Sequence, residues 1–175
     1  MHQALKLHPE SSCDAVLAIE VDVARPQPGG LRLTYLVSGE IEALRLPPAA
    51  APARTDGLWR HTCFEAFVRA ASGNAYSELN FAPSTQWAAY DFDGYRSGMA
   101  PADGILAPRI QTRSSAGRFE LTASLDLPSE GTWHLGLSAV IEEANGRKSY
   151  WALAHPLGKP DFHHSDCFAL EVPAA

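Results

Sequence analysis

The sequence predicts an all-β protein, an antiparallel β-sandwich of about ten short strands. Three observations carry that expectation. Apolar residues alternate with polar ones at a period of two in segment after segment, no long segment holds a convincing period of 3.6, and the segments are separated by turns rich in Gly, Pro and Asn. Short strands at this spacing suit a sandwich better than an α/β fold.

Taken in order, Ala15 to Ala24 (AVLAIEVDVA) is rich in branched residues and stops at Pro26-Gln27-Pro28-Gly29-Gly30, a run that forces a turn. Leu31 to Val37 alternates Leu31, Leu33, Tyr35 and Val37 against Arg32, Thr34 and Leu36. A further short strand is expected over Ile41 to Leu46, ending at Pro47-Pro48. Ala49 to Gly57 is an Ala/Pro loop, read as an exposed excursion that brings Trp59 to the next strand.

Thr62 to Val68 and Tyr76 to Ala82 form the centre of the chain. In the first, Phe64, Ala66 and Val68 share one parity and Cys63, Glu65 and Phe67 the other; in the second, Ser77, Leu79 and Phe81 oppose Tyr76, Glu78 and Asn80. Ala71-Ser72-Gly73-Asn74 between them reads as a hairpin turn. With Ser72 and Gly73 as loop residues, Phe64 pairs with Phe81, Glu65 with Asn80, Ala66 with Leu79 and Phe67 with Glu78. One face of this hairpin is then core, and the other gathers two carboxylates and an amide.

Gln86 to Phe92 continues as a strand, leading to the loop Asp93 to Gly98, a candidate site rim. Arg109 to Ser114 and Arg118 to Leu125 flank Ser115-Ala116-Gly117 as a second hairpin. Trp133 to Glu142 and Lys148 to Ala154 flank Ala144-Asn145-Gly146-Arg147, where Asn-Gly is a strong hairpin signal. Cys167 to Val172 is the last strand.

At 175 residues and 46% hydrophobic content, the chain fits one domain, 1–175. Its net charge of −6 and singly scattered cations argue against a nucleic-acid partner. The first residues lack the apolar core of a signal peptide, and no stretch approaches the roughly 20 apolar residues of a membrane span, so a cytoplasmic location is expected. Three cysteines, Cys13, Cys63 and Cys167, do not make a disulfide framework. Nothing in the sequence sets an oligomeric state.

Trp59, then Cys63-Phe64-Glu65-Ala66-Phe67, then Tyr76-x-Glu78-x-Asn80-Phe81-Ala82-Pro83, with Pro160-Asp161-Phe162-His163 before the final strand, resembles the DOMON-like group of bacterial proteins related to family 9 carbohydrate-binding modules. The resemblance covers most of the chain from about Trp59 onward. It implies a jelly-roll-like sandwich with a ligand site on one sheet, for sugars in the modules and for haem in some DOMON relatives. It makes Trp59 an aromatic that stacks on a ligand ring and Glu65 and Asn80 its hydrogen-bonding partners. The chain lacks the Asp residues that the modules carry before Glu65, so their calcium site is not carried over.

The expected ligand-binding set is Trp59, Glu65, Glu78 and Asn80, with Trp151 as a second stacking wall and His163 from the closing motif. Aromatic faces beside carboxylates and amides suit a polyhydroxylated ring, whose C–H faces stack while its hydroxyls need paired donors and acceptors. The expected function is non-catalytic binding of a small carbohydrate-like ligand. Its rivals are an enzyme acting on a sugar derivative with Glu65 and Glu78 as acid and base, a haem-binding domain using Met99 and a histidine, and an interaction module whose polar face meets a protein. His61, Cys63 and Glu65 could join His163, His164 or Cys167 around zinc, but no ligand spacing supports it, and no cofactor is expected.

Overall fold

Alternation of side chains across each strand sets the architecture. The structure, a computed structural model, describes residues 1–128 and 131–175, and among them twelve strands. In chain order they are β1 (His2–Leu7), β2 (Val16–Ala24), β3 (Gly30–Gly39), β4 (Cys63–Ala70), β5 (Tyr76–Phe81), β6 (Trp87–Phe92), β7 (Ala100–Pro101), β8 (Arg109–Ser115), β9 (Arg118–Asp126), β10 (Trp133–Glu142), β11 (Lys148–Ala152) and β12 (Leu170–Val172).

All pairings between these strands are antiparallel. One sheet runs β1-β2-β3-β9-β8 and the other β7-β6-β5-β4-β10-β11, with β12 paired to the start of β10. Strand β1 belongs to both, since His2 to Leu5 pair with β2 while Lys6 and Leu7 pair with β11. The whole is therefore one curled sheet closed into a sandwich.

The main core lies between the two sheets. Alternate residues of β2, β3 and β9 (Ile19, Val21, Leu33, Tyr35, Phe119, Leu121) meet alternate residues of β4, β5 and β10 (Phe64, Ala66, Leu79, Phe81, Leu135, Leu137). Phe64 is central to it, 5.0 Å from the Tyr35 ring and stacked on Phe119 at 6.0 Å. The Tyr35 hydroxyl donates to the Glu65 carbonyl at 2.7 Å, which satisfies the one polar atom this ring takes into the core.

The expected strand over Ile41 to Leu46 is absent. Ile41–Ala43 forms a single 3-10 turn and only Leu44 makes a bridge, to Glu143. Ile41 and Leu44, three residues apart, are both buried, and a spacing of three fits the 3-10 turn rather than a strand. The last strand is likewise shorter than expected, because Ser165–Cys167 is another 3-10 turn. The hairpin register between β4 and β5 is the one expected, although the unpaired loop is wider and the pairing ends at Arg69 opposite Tyr76.

Both faces of β4 are covered. Away from the main core, Phe67, Tyr76, Tyr90, Phe92 and Phe168 form a second apolar cluster against which Leu58 and Phe162 pack. Gly136, opposite Phe67, favours this covering: a Cβ there would sit 3.1 Å from the Cys167 carbonyl oxygen, so a larger residue would push that segment outward by a few tenths of an ångström.

Candidate ligand-binding cavity

The antiparallel register places the polar groups. Glu65 lies opposite Asn80 and Glu78 opposite Phe67, so the two carboxylates are diagonal neighbours on the outer face of the second sheet. Neither is solvated as a sheet surface would be; Glu65 is 3% exposed and Glu78 6%. They line a cavity of about 390 Å³ whose walls include five aromatic side chains, Trp59, Phe67, Phe92, Tyr150 and Phe162. Arg96, Met99 and His163 complete its rim and sides.

The carboxyls are held in different ways. Burial, reinforced by the neighbouring Glu78, pushes Glu65 up to about 8 against the opposing effect of Ser138, whose hydroxyl donates to Glu65 Oε2 at 3.1 Å. At neutral pH Glu65 therefore keeps its proton and can both donate and accept. Burial also raises Glu78, while Asn80 Nδ2 donates to its Oε1 at 2.7 Å and favours its ionised form.

His163 is neutral, because burial and then the Arg96 charge lower it to about 4. The Tyr76 hydroxyl accepts from the Arg96 backbone N–H at 3.3 Å, which leaves its own proton for His163 Nδ1 at 2.7 Å. The other ring nitrogen, Nε2, lies 3.6 Å from Glu78 Oε2.

The rim loop is fastened from the other side of the site. Arg96 adopts a left-handed backbone (φ 52°), and its Nε and Nη2 donate to Asp161 Oδ1 at 3.3 and 2.7 Å. Asp161 also accepts from the Tyr95 hydroxyl and from the His163 backbone N–H. Burial works against its ionisation, but Tyr95 and Arg96 outweigh it and hold the carboxyl below its ordinary range.

The structure brings Trp59, Glu65, Glu78 and His163 to the cavity. Trp59 stands at its mouth, 37% exposed, edge-on to Tyr90 at 5.9 Å. Asn80 is fully buried behind Glu78 and orients it rather than facing the cavity. Trp151 is not at the cavity. It lies opposite Ala139 in the main core, with its indole N–H donating to Ser149 at 3.0 Å. The wall expected of it belongs to Tyr150, one residue earlier, opposite Val140. A single step along a strand reverses the face.

Tyr150, Phe92 and Phe162 escaped the sequence reading as site residues, while Arg96 lies in the loop Asp93 to Gly98 expected as a site rim. The Asn145-Gly146 signal alone would not have supplied Tyr150, since a two-residue loop there pairs Val140 with Trp151, whereas the wider loop formed pairs Val140 with Tyr150. Among the described residues no group of three or more His, Cys, Asp or Glu is placed to hold a metal ion. His61 faces Glu142 at 2.7 Å and Cys167 donates to the carbonyls of Ala154 and Asp161.

No family model matches the chain, and no curated protein does. Among solved structures, it is similar to a candidate carbohydrate-binding protein from Bacteroides uniformis ATCC 8492, at a TM-score of 0.67 and 12% identity over 95% of this chain and 83% of that one. It is similar also to a family 9 carbohydrate-binding module from Caldicellulosiruptor kristjanssonii in complex with cellotriose, at a TM-score of 0.56 and 11% identity over 90% of this chain and 74% of that one. A structure of such a module from the same organism with glucose gives 0.51 and 11% over 88% and 76%. At these identities the likeness is one of fold, and the fold is like that of family 9 carbohydrate-binding modules.

Proposed function

We propose that the chain is a non-catalytic binding domain for a small carbohydrate-like ligand, held in the cavity on the outer face of the second sheet. The observation that carries this reading is the composition of that cavity, in which five aromatic side chains surround two buried carboxyl groups. A sugar ring presents C–H faces that pack on aromatic rings and hydroxyls that need both donors and acceptors. A protonated Glu65 offers both and Glu78 accepts.

The fold shared with modules bound to cellotriose and glucose supports the reading, as does the DOMON-like signature from Tyr76 to Pro83, which belongs to the same proposal. Calorimetric titration with a panel of mono- and oligosaccharides tests it: saturable binding that Glu65→Ala weakens is expected, and no heat at millimolar sugar contradicts it.

A second reading, an enzyme acting on a sugar derivative, draws on one observation: Glu65 is protonated at neutral pH beside a second carboxyl. Both groups rise from one sheet, however, so a ligand meets them from one side, whereas a glycosidase holds its bond between two carboxyls. Turnover of aryl glycosides by the wild type, lost in a Glu65→Gln/Glu78→Gln double variant, would promote this second reading.

A further inference from the structure

The charges around the cavity do not balance. Glu65 and Glu78 form its floor and Asp161 stands behind its rim, while among the described residues Arg96 is the one cation on the lining; its guanidinium makes two hydrogen bonds to Asp161, and its charge reaches Glu78 only through space. His163 is neutral and bonded to Tyr76. The other polar groups around Glu65 are Ser138 on β10, Cys63 on its own strand and Tyr35 from the opposite sheet, none of them cationic. Two carboxyl oxygens remain: Glu65 Oε1 has no hydrogen-bond partner among the described residues, and Glu78 Oε2 has only His163 Nε2 at 3.6 Å.

A buried acceptor pair enclosed by aromatic side chains is suited to a cation more than to a neutral hydroxyl. An ammonium gains charge-assisted hydrogen bonds from the carboxylates and attraction to the ring faces, and both strengthen where water is excluded. A hydroxyl also hydrogen-bonds a carboxylate, but it brings no net charge and no cation attraction to the ring faces. An anionic sugar would meet two acids and one guanidinium already paired.

Resting on the carbohydrate-binding reading, we propose that the ligand carries a protonated amine. The site takes an amino sugar or a similarly hydroxylated ammonium, with the –NH3+ group against Glu65 and Glu78 and the ring against the aromatic walls. The arriving cation favours the ionised form of Glu65, so its O–H bond breaks and the proton passes to the buffer. The ammonium keeps its own protons and stays paired with the new carboxylate.

The test is calorimetric titration of the full chain with glucosamine, glucose and N-acetylglucosamine near pH 6.5, each in two buffers of different ionisation enthalpy. Glucosamine should bind about tenfold or more tightly than glucose. N-Acetylglucosamine, whose nitrogen carries no charge, should follow glucose. The observed heat for glucosamine should differ between buffers in the sense of proton release, and that for glucose should not. Glu65→Gln should bring glucosamine down to the level of glucose, with Glu78→Gln read the same way should the first variant not fold. Glucose binding as tightly as glucosamine, or glucosamine binding without proton release, overturns the amine inference and leaves the carbohydrate reading standing. Binding of none of the three overturns both.

Discussion

Glu65 and Glu78 lie diagonally across two adjacent antiparallel strands, each directly opposite an uncharged residue, Asn80 and Phe67. The arrangement keeps the acids from facing each other while aiming both into one aromatic cavity. It also means that, among the described residues, the protein buries two carboxyls on one sheet face with no cation hydrogen-bonded to either, a cost in stability that a purely structural sheet face would have no reason to carry.

That cost has a pH signature. A carboxyl raised in the folded state binds its proton more tightly there than in the unfolded chain. Stability contributed by Glu65 is therefore full below its unfolded value of 4.5 and is lost as pH rises toward about 8. His163 acts in the opposite sense, its contribution being lost as pH falls from 6.5 toward about 4. Between pH 6.5 and 8 the Glu65 effect stands clear of His163. Denaturant unfolding across that range should show the wild type losing stability relative to Glu65→Gln; parallel curves would mean that Glu65 is not raised.

The two tryptophans should separate binding from stability. Trp59→Ala should leave the unfolding midpoint nearly unchanged and weaken sugar binding, because the ring is partly exposed at the cavity mouth. Trp151→Ala should cost about 3 to 5 kcal/mol, as buried aromatic truncations do, because its ring is in the main core. Chemical denaturation and titration of both variants check the pair, and the reverse pattern would exchange their assignments.

Phe81→Ala should likewise cost about 3 to 5 kcal/mol, since Phe81 is paired with Phe64 at the centre of the sandwich. A loss under about 1 kcal/mol in equilibrium unfolding would speak against that burial.

The Arg96 loop should be a positioning device for the cavity. Asp161→Asn removes a charged acceptor of Arg96 and Tyr95, and because the Arg96 side chain is half exposed, global stability should change little. Amides from Asp93 to Gly98 should exchange faster with solvent and sugar affinity should fall several-fold. Unchanged exchange in that loop would show that Asp161 does not hold it.

Local pattern carried much of this. The parity of Phe64, Ala66 and Val68 and the turn at Ala71 to Asn74 were enough to pair Glu65 with Asn80, because register in a hairpin follows from neighbouring residues. Strand β1 was missed because one of its inward positions is the polar Gln3, so that only Leu5 and Leu7 about Lys6 show its alternation in the sequence. Trp151 was misplaced because a Tyr150-Trp151 pair offers an aromatic on either face, and only the pairing with β10 decides between them. What covers the outer face of β4 was illegible for another reason. Phe162, Phe168 and Arg96 reach it from segments about 30 to 100 residues away in sequence, and no local periodicity records such contacts.

The most direct measurement of the central claim is a calorimetric titration of the wild type with simple sugars, repeated with Glu65→Ala and Trp59→Ala. Saturable one-site binding with a dissociation constant below about 1 mM, equivalent to at least about 4 kcal/mol, is expected, and both substitutions should weaken it. No binding of any sugar at millimolar concentration, or an affinity that neither substitution changes, would contradict a carbohydrate site in this cavity.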